Sequence, residues 1–300
     1  GEEPARDLPQ KALSGMETKQ ERDGETMSNI TWNFKDSVVV ITGASTGIGR
    51  GTALAFAQAG ASVAICDFNE TAGAETAQLC REAGAPDARF YKVNVQSEEE
   101  VEQAKEQILA DFGTVDILFS NAGIFPKDMA HPLEELSDEL WQRVFDINFF
   151  GAIRVCRAFT PVFKAKKSGK IVVTSSISMN RPNANAMPYC ASKVALASFA
   201  QSLCLELGPY NGNVNVVCPA YVFTQIYANG GGLKIKADRG GFENCRSDED
   251  VMNQMAKSSA LGRAQTPQDI ANAVMYLSSD AASEITGQVI NVDSGLVFRY

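Results

Sequence analysis

The chain has few of the side chains that most enzymes use for proton transfer and metal binding: its 300 residues include one histidine, His131, and two tryptophans. A histidine-based zinc site, a Ser-His-Asp triad or a Cys-His dyad would each need that one imidazole, which precedes Pro132 in a segment that reads as a surface loop. No metal site is expected. The seven cysteines (66, 80, 156, 190, 204, 218 and 245) are odd in number and show no CxxC spacing. This argues against a disulfide framework and suits a reducing compartment such as the cytoplasm, with most thiols acting as small core residues. No apolar run approaches the roughly 18 residues that suggest a membrane span. Basic residues are outnumbered, 27 Lys and Arg against 36 Asp and Glu, for a formal charge of -9 without a local basic patch. Nucleic acid and anionic membranes are therefore not expected partners.

What is present is an ordinary globular composition, 45% hydrophobic and 21% charged, in a chain long enough to bury a sizeable core. Residues 1–28 are polar, mixed in charge and without an apolar stretch, which predicts a disordered leader or a segment foreign to the native protein, with a native start offered by Met27. Residues 29–300 read as one domain. From Val38 onward short apolar runs alternate with helical stretches. The runs are VVVIT (38–42), SVAICD (62–67), RFYKVNV (89–95), VDILFSNAG (115–123), GKIVVTSS (169–176), VNVVCP (214–219) and GQVINVD (287–293). Between them helices are expected at Ile48–Ala59, Glu70–Ala83, Glu98–Phe112, Ser137–Lys166, Tyr189–Leu207 and Thr266–Ser278. Strands without polar alternation, each followed by a helix, predict an α/β fold. It is a single doubly wound, Rossmann-type domain with a parallel sheet of about seven strands flanked by helices on both faces.

The first strand-to-helix turn is TGASTGIGR (42–50). Gly43, Gly47 and Gly49 stand where the chain must turn sharply and bring backbone N–H groups towards a pyrophosphate, with Ser45, Thr46 and Ile48 between them. Asp67 ends the second strand about twenty residues later, where a carboxylate accepts hydrogen bonds from adenosine ribose hydroxyls and repels a 2'-phosphate. With the uncharged neighbours Thr46 and Phe68, this favours NAD over NADP. In YCASK (189–193), Tyr189 and Lys193 are spaced i and i+4, on one face of one helix. A phenol with a free pKa of about 10 becomes a usable base when cations stabilise its phenolate.

These motifs together resemble the classical branch of the short-chain dehydrogenase/reductase family, from about Phe34 to the last strand. The glycine spacing is Gly-x-x-x-Gly-x-Gly, as in that family, and not Gly-x-Gly-x-x-Gly. The resemblance implies that Tyr189 is the acid/base and that Ser176, thirteen residues before it, holds the substrate oxygen; Ser175 is the adjacent competitor. It further implies that Lys193 lowers the tyrosine pKa and binds the nicotinamide ribose, and that Asn148 holds a water linking the lysine to solvent. Asn94 and Val95 take the place of the family's adenine-holding Asp-Val. Asn121, Ala122 and Gly123 match the fourth-strand motif beside the cofactor, and Pro219, Val222 and Thr224 match the carboxamide contacts. Ala220 and Ser294 stand where the family usually has glycine, so a positive φ at either would be strained.

The expected function is NAD-dependent hydride transfer between nicotinamide and a secondary alcohol or ketone. Residues 225–260 read as a mobile loop containing a helix or two, which the resemblance implies covers the substrate. Phe125, Met179, Met187, Tyr221, Phe223 and Tyr227 would supply an apolar wall that suits a bulky, cyclic substrate better than a polyol. The competing readings are an NADPH-dependent carbonyl reductase, which comparing NADH with NADPH affinity would reveal, and a non-catalytic NAD(H)-binding protein, which would have no need of the Ser, Tyr, Lys and Asn set. The resemblance also implies a homo-oligomer, a tetramer or a dimer.

Overall fold

The computed structural model describes residues 30–224, 242 and 244–298. By contacts the chain divides at Asn33, and residues 30–33, the described part of the first unit, form no helix or strand. The second unit, from Phe34, carries the architecture that follows.

It opens with β1 (Val38–Thr42), α1 (Gly47–Gln58), β2 (Ser62–Asp67), α2 (Glu70–Glu82), β3 (Ala88–Lys92), α3 (Glu98–Phe112) and β4 (Ile117–Ser120). After β4 come α4 (Asp138–Phe145), a π turn (Asp146–Phe150), α5 (Gly151–Lys166), β5 (Gly169–Thr174) and α6 (Met187–Leu207). The last elements are β6 (Gly212–Pro219), α7 (Asp248–Ala256), α8 (Pro267–Ser278) and β7 (Val289–Val292). The seven strands form one sheet in the order β3-β2-β1-β4-β5-β6-β7, with every pair parallel. All residues of β1, β4 and β6 are buried, as expected when helices cover both faces of a sheet. Strand order reverses between β1 and β4, and the crevice beyond the carboxyl ends of these strands is where such sheets bind ligands.

The expected helix from Ser137 to Lys166 is interrupted. At Asp146–Phe150 the backbone adopts a π turn, and the Gly151 N–H reaches back five residues to the Asp146 carbonyl. Arg154 fixes this geometry, donating to the Asp146 carbonyl (3.2 Å) and carboxylate (2.7 Å). A side chain at Gly151 would come within 2.8 Å of Val95 Cγ2, so the helix is packed against the end of β3. Helix α6 begins at Met187, which puts Tyr189 in its first turn. Within the expected loop 225–260, residues 225–241 and 243 lie outside the described residues; α7 follows, closed at its start by a capping box between Ser247 and Asp250. Among the described residues no helix is long and apolar enough to cross a membrane.

Candidate active site

The glycine turn leaves β1 at Gly43 (φ 65°) and enters α1 through Gly47 (φ 55°). A Cβ at Gly49 would sit 2.1 Å from the Gly43 carbonyl oxygen, so the helix can approach the turn only without a side chain there. Helices α2, α3, α7 and α8 begin with a side chain accepting from their first turn: Asn69, Ser97, Ser247 and Thr266. Helix α1 does not: Thr46 makes no such bond, and its first turn carries no acid. Among the described residues no side chain accepts from the amides of Gly47 and Ile48, which lie at the positive end of a helix dipole. That is the chemistry of an anion site.

Asp67 is buried at the end of β2. Its two carboxylate oxygens accept the Ser45 N–H (3.0 Å) and the Asn69 N–H (2.9 Å), tying the glycine turn to the second strand. The nearby cation Arg50 is engaged with the Ser45 carbonyl, Thr76 Oγ1 and Glu75. Phe68 is 74% exposed. Asn94 is also exposed, its Oδ1 accepting the Gln96 N–H, and Val95 behind it is buried. Asn121 is a stitch between strands: its side chain donates to the Thr42 carbonyl (3.2 Å) and accepts from Thr174 Oγ1 (3.1 Å), while its N–H and that of Ala122 donate to Thr42 Oγ1. A Cβ at Gly123 would lie 3.1 Å from Asn148 Oδ1 and 3.6 Å from Lys193 Nζ, which places this motif beside the two polar side chains.

At the end of β5 the two candidate serines separate. The Ser175 hydroxyl donates to the Lys193 carbonyl (2.8 Å) and so is a structural tie. The Ser176 hydroxyl accepts from the Ser178 N–H, lies 3.1 Å from Ser178 Oγ and is close enough to the Tyr189 phenol to favour its phenolate. Lys193 Nζ lies 5.6 Å from the Tyr189 ring centroid and donates to the Thr174 carbonyl (2.9 Å). Asn148, fully buried in the π turn, accepts the Ile124 N–H (2.7 Å) and donates to the Ile124 carbonyl (3.0 Å).

The electrostatics differ from the expected lowering of the tyrosine by the lysine. In the protein alone, burial pushes the Tyr189 phenol up to about 12, opposed by the Ser176 hydroxyl beside it. Burial pulls Lys193 down to about 8. Both groups are drawn towards their neutral forms, because removal from water is the largest cause of each shift.

The remaining predicted residues are distributed around this centre. Pro219 ends β6, and Val222 bridges to Gln265. Thr224 packs over the glycine turn, where a Cβ on Gly47 would meet its side chain at 3.1 Å. Ala220 is not among the residues with positive φ, so alanine is accommodated there without strain; Ser294 is among them, at 58°. Met179 lies under the site, with its sulfur 3.5 Å from Cys218 Sγ. Phe125 and Met187 pack with Tyr189 on a small apolar cluster. Tyr221 accepts the Gln265 N–H through its carbonyl, and Phe223 is 37% exposed. Tyr227 lies outside the described residues. Sequence reasoning missed Thr42, Thr174, Ser178 and Ser192, whose hydroxyls or carbonyls hold the named residues; only their closeness to the motifs signals them. Among the described residues no three His, Cys, Asp or Glu side chains are grouped to hold a metal ion.

Residues 43–297 match the family model described as Enoyl-(Acyl carrier protein) reductase. The chain is 34% identical over 262 residues to a 3-oxoacyl-(acyl-carrier-protein) reductase of Chlamydia muridarum, covering 87% of this chain and 97% of that one. It is 32% identical over 267 residues to a short chain dehydrogenase/reductase of Aspergillus oryzae, covering 88% and 96% respectively. Among solved structures, carveol dehydrogenase from Mycobacterium avium in complex with NAD superposes with a TM-score of 0.80 at 28% identity, over 89% of this chain and 99% of that chain.

Proposed function

Since the chain belongs to the short-chain dehydrogenase/reductase family of oxidoreductases acting on alcohols and ketones, we propose that it is an NAD-dependent enzyme. It moves hydride between nicotinamide and a secondary alcohol or ketone that is fairly apolar or cyclic. The observation that carries this reading is the convergence of Ser176, Tyr189 and Lys193 at the carboxyl end of β5, with the Lys193 ammonium 5.6 Å from the Tyr189 ring centroid.

The residues present fit a dinucleotide. The uncapped first turn of α1 suits a pyrophosphate, and the space beside Gly49 that a Cβ would close lets the backbone approach it. Asp67, held rigidly by two backbone amides, suits ribose hydroxyls and opposes a 2'-phosphate, which supports NAD. The solved relative in complex with NAD supports the same cofactor. In this reading Asn94 and Val95 flank the adenine, while Pro219, Val222 and Thr224 serve the carboxamide and Lys193 the second ribose. When bound, nicotinamide supplies or accepts the hydride.

The chain's own side chains handle the proton. Ser176 holds the substrate oxygen and stabilises charge that develops on it. Tyr189 takes the proton from an alcohol or returns it to a carbonyl oxygen. At rest its high pKa keeps the phenol protonated. Lys193 alone does not bring it into the working range, so further positive charge beside the phenol would be needed to do so. Asn148 holds a water that links Lys193 to solvent. The apolar residues packed with Tyr189, Phe125 and Met187 among them, support a substrate with a hydrocarbon body. Seven cysteines that form no disulfide, six of them buried, support a reducing compartment such as the cytoplasm. Assembly as a dimer or tetramer is carried over from the family.

The test is a turnover screen with NADH and NADPH over cyclic ketones, hydroxysteroids, polyols and hydroxy acids, using wild type and Tyr189→Phe. Turnover with NADH that Tyr189→Phe abolishes while NADH still binds is the expected result. A clear preference for NADPH, or saturable NADH binding with no turnover of any substrate, overturns it.

A further inference from the structure

Phe125 reads from sequence as part of the substrate wall, yet its ring lies edge-on to Tyr189, with centroids 4.9 Å apart and planes at 75°. Both rings pack on a small apolar cluster that includes Met129, Leu140, Val144 and Ala186, apart from the main core. The peptide just before Phe125 is locked, because the fully buried Asn148 amide closes two hydrogen bonds on Ile124, to its N–H and its carbonyl. On the opposite side the Tyr189 carbonyl accepts from Ser192 Oγ (2.7 Å), and that oxygen lies 3.4 Å from Asn148 Nδ2. The circuit is closed: Asn148 sets Ile124, Ile124 carries Phe125, Phe125 meets the Tyr189 ring, and Ser192 returns to Asn148. A phenol held only through its hydroxyl could swing about its side-chain torsions; a ring edge against its own ring removes that freedom.

We propose that Phe125 is a positioning residue, whose ring fixes the orientation in which Tyr189 presents its hydroxyl to Ser176 and to the substrate oxygen. This rests on the function proposed above for Tyr189. Phe125→Leu keeps an apolar side chain and removes the ring; Phe125→Tyr keeps the ring. The expected result for Phe125→Leu is a fall in kcat of about tenfold on every substrate turned over, because the aromatic pair is lost while the substrate contacts remain. Substrate KM and NADH affinity should stay within about twofold of wild type, and Phe125→Tyr should restore kcat. A KM that rises with substrate size at unchanged kcat would make Phe125 a substrate wall and overturn the proposal.

A second measurement does not need turnover. In protein labelled with 13C-tyrosine, the resonance lost in Tyr189→Phe belongs to Tyr189, and loss of the neighbouring ring current in Phe125→Leu should move it. An unmoved resonance overturns the proposal even in an active enzyme. An inactive wild type with a shifted resonance overturns the functional reading and leaves the ring contact established. If Phe125→Leu fails to bind NADH or to melt cooperatively, Phe125→Met is read by the same two criteria.

Discussion

Lys193 donates a 2.9 Å hydrogen bond to the Thr174 carbonyl from a position only 4% exposed, so its ammonium is held by one neutral oxygen where water is largely excluded. Burial lowers its pKa from 10.5 to about 8. Below pH 8 the folded and unfolded chains both carry the proton, and the fold bears the full cost of burying the charge. Between about 8 and 10.5 the unfolded chain binds more protons than the folded one, so stability from this group rises with pH. Lys193→Met removes the charge. The gap between the two pKa values corresponds to a few kcal/mol, against about 1 kcal/mol for the lost bond to Thr174. The variant should therefore melt a few degrees above wild type at pH 7, with the difference narrowing towards pH 10, while turnover is lost. Melts at three pH values decide it; a difference that is flat or widens with pH contradicts the argument.

The serine pair makes a sharper contrast. Ser176→Ala removes the hydroxyl beside the Tyr189 phenol and should lower kcat by roughly 10²–10³-fold, an effect far larger than the roughly 1 kcal/mol of stability lost with its bond to the Ser178 N–H. Ser175→Ala removes the tie to the Lys193 carbonyl and should do the reverse, costing about 1–3 kcal/mol of stability while kcat falls by much less. Steady-state kinetics with parallel thermal melts would separate them. Equal kinetic losses would mean that the two hydroxyls are not divided as the geometry indicates.

How much of this was legible in the sequence depended on how local each cause was. The parallel sheet followed from apolar runs such as VVVIT and SVAICD, because a strand covered on both faces has no polar alternation to hide. The glycine turn and the Tyr189–Lys193 pair were legible because backbone approach and helical period act over a few residues. The π turn at Asp146–Phe150 was not. It depends on Gly151 packing against Val95 and on Arg154 holding Asp146, and neither leaves a periodic signal. The place of Phe125 is set by Asn148, twenty-three residues further along the chain, and the pKa values of Tyr189 and Lys193 by burial that only the assembled fold creates. Asn121 was recognised as part of a motif, but its amide proves to be engaged between β1 and β5, so its contribution to a cofactor site would be made through the shape of the strand ends.

If Asp67 selects NAD as proposed, it couples cofactor choice to stability, and the two effects can be measured apart. Asp67→Ser shortens the carboxylate and removes its charge. The Michaelis constant for NADH should rise about tenfold or more, and the ratio of kcat/KM for NADPH to that for NADH should increase, because repulsion of a 2'-phosphate is gone. The amides of Ser45 and Asn69 also lose their acceptors, at about 1–3 kcal/mol for the buried one, so the melting temperature should fall in the same variant. A lowered melting temperature with an unchanged coenzyme ratio would leave Asp67 as a turn brace only.

Ser294 sits at φ 58°, where the resembled family usually has glycine, and its retention has a physical reason in Gln265. The left-handed conformation costs an L-residue about 1–2 kcal/mol, which glycine would relieve, though glycine gives back about 0.5–1 kcal/mol through the freedom of the unfolded chain. Against this, Ser294 Oγ accepts a 2.6 Å hydrogen bond from Gln265 Nε2, in a side chain 5% exposed whose Oε1 is already without a partner. Without that bond the buried amide keeps only a 3.4 Å hydrogen bond from Nε2 to the Arg263 carbonyl, a loss that costs about 1–3 kcal/mol. The hydrogen bond outweighs the strain, so Ser294→Gly should be less stable than wild type by about 1 kcal/mol. Ser294→Ala loses the same bond and keeps the strain, so it should be the least stable of the three. Urea unfolding of all three would test the order. A Ser294→Gly protein more stable than wild type would show that backbone strain is the larger effect and that the bond to Gln265 holds little.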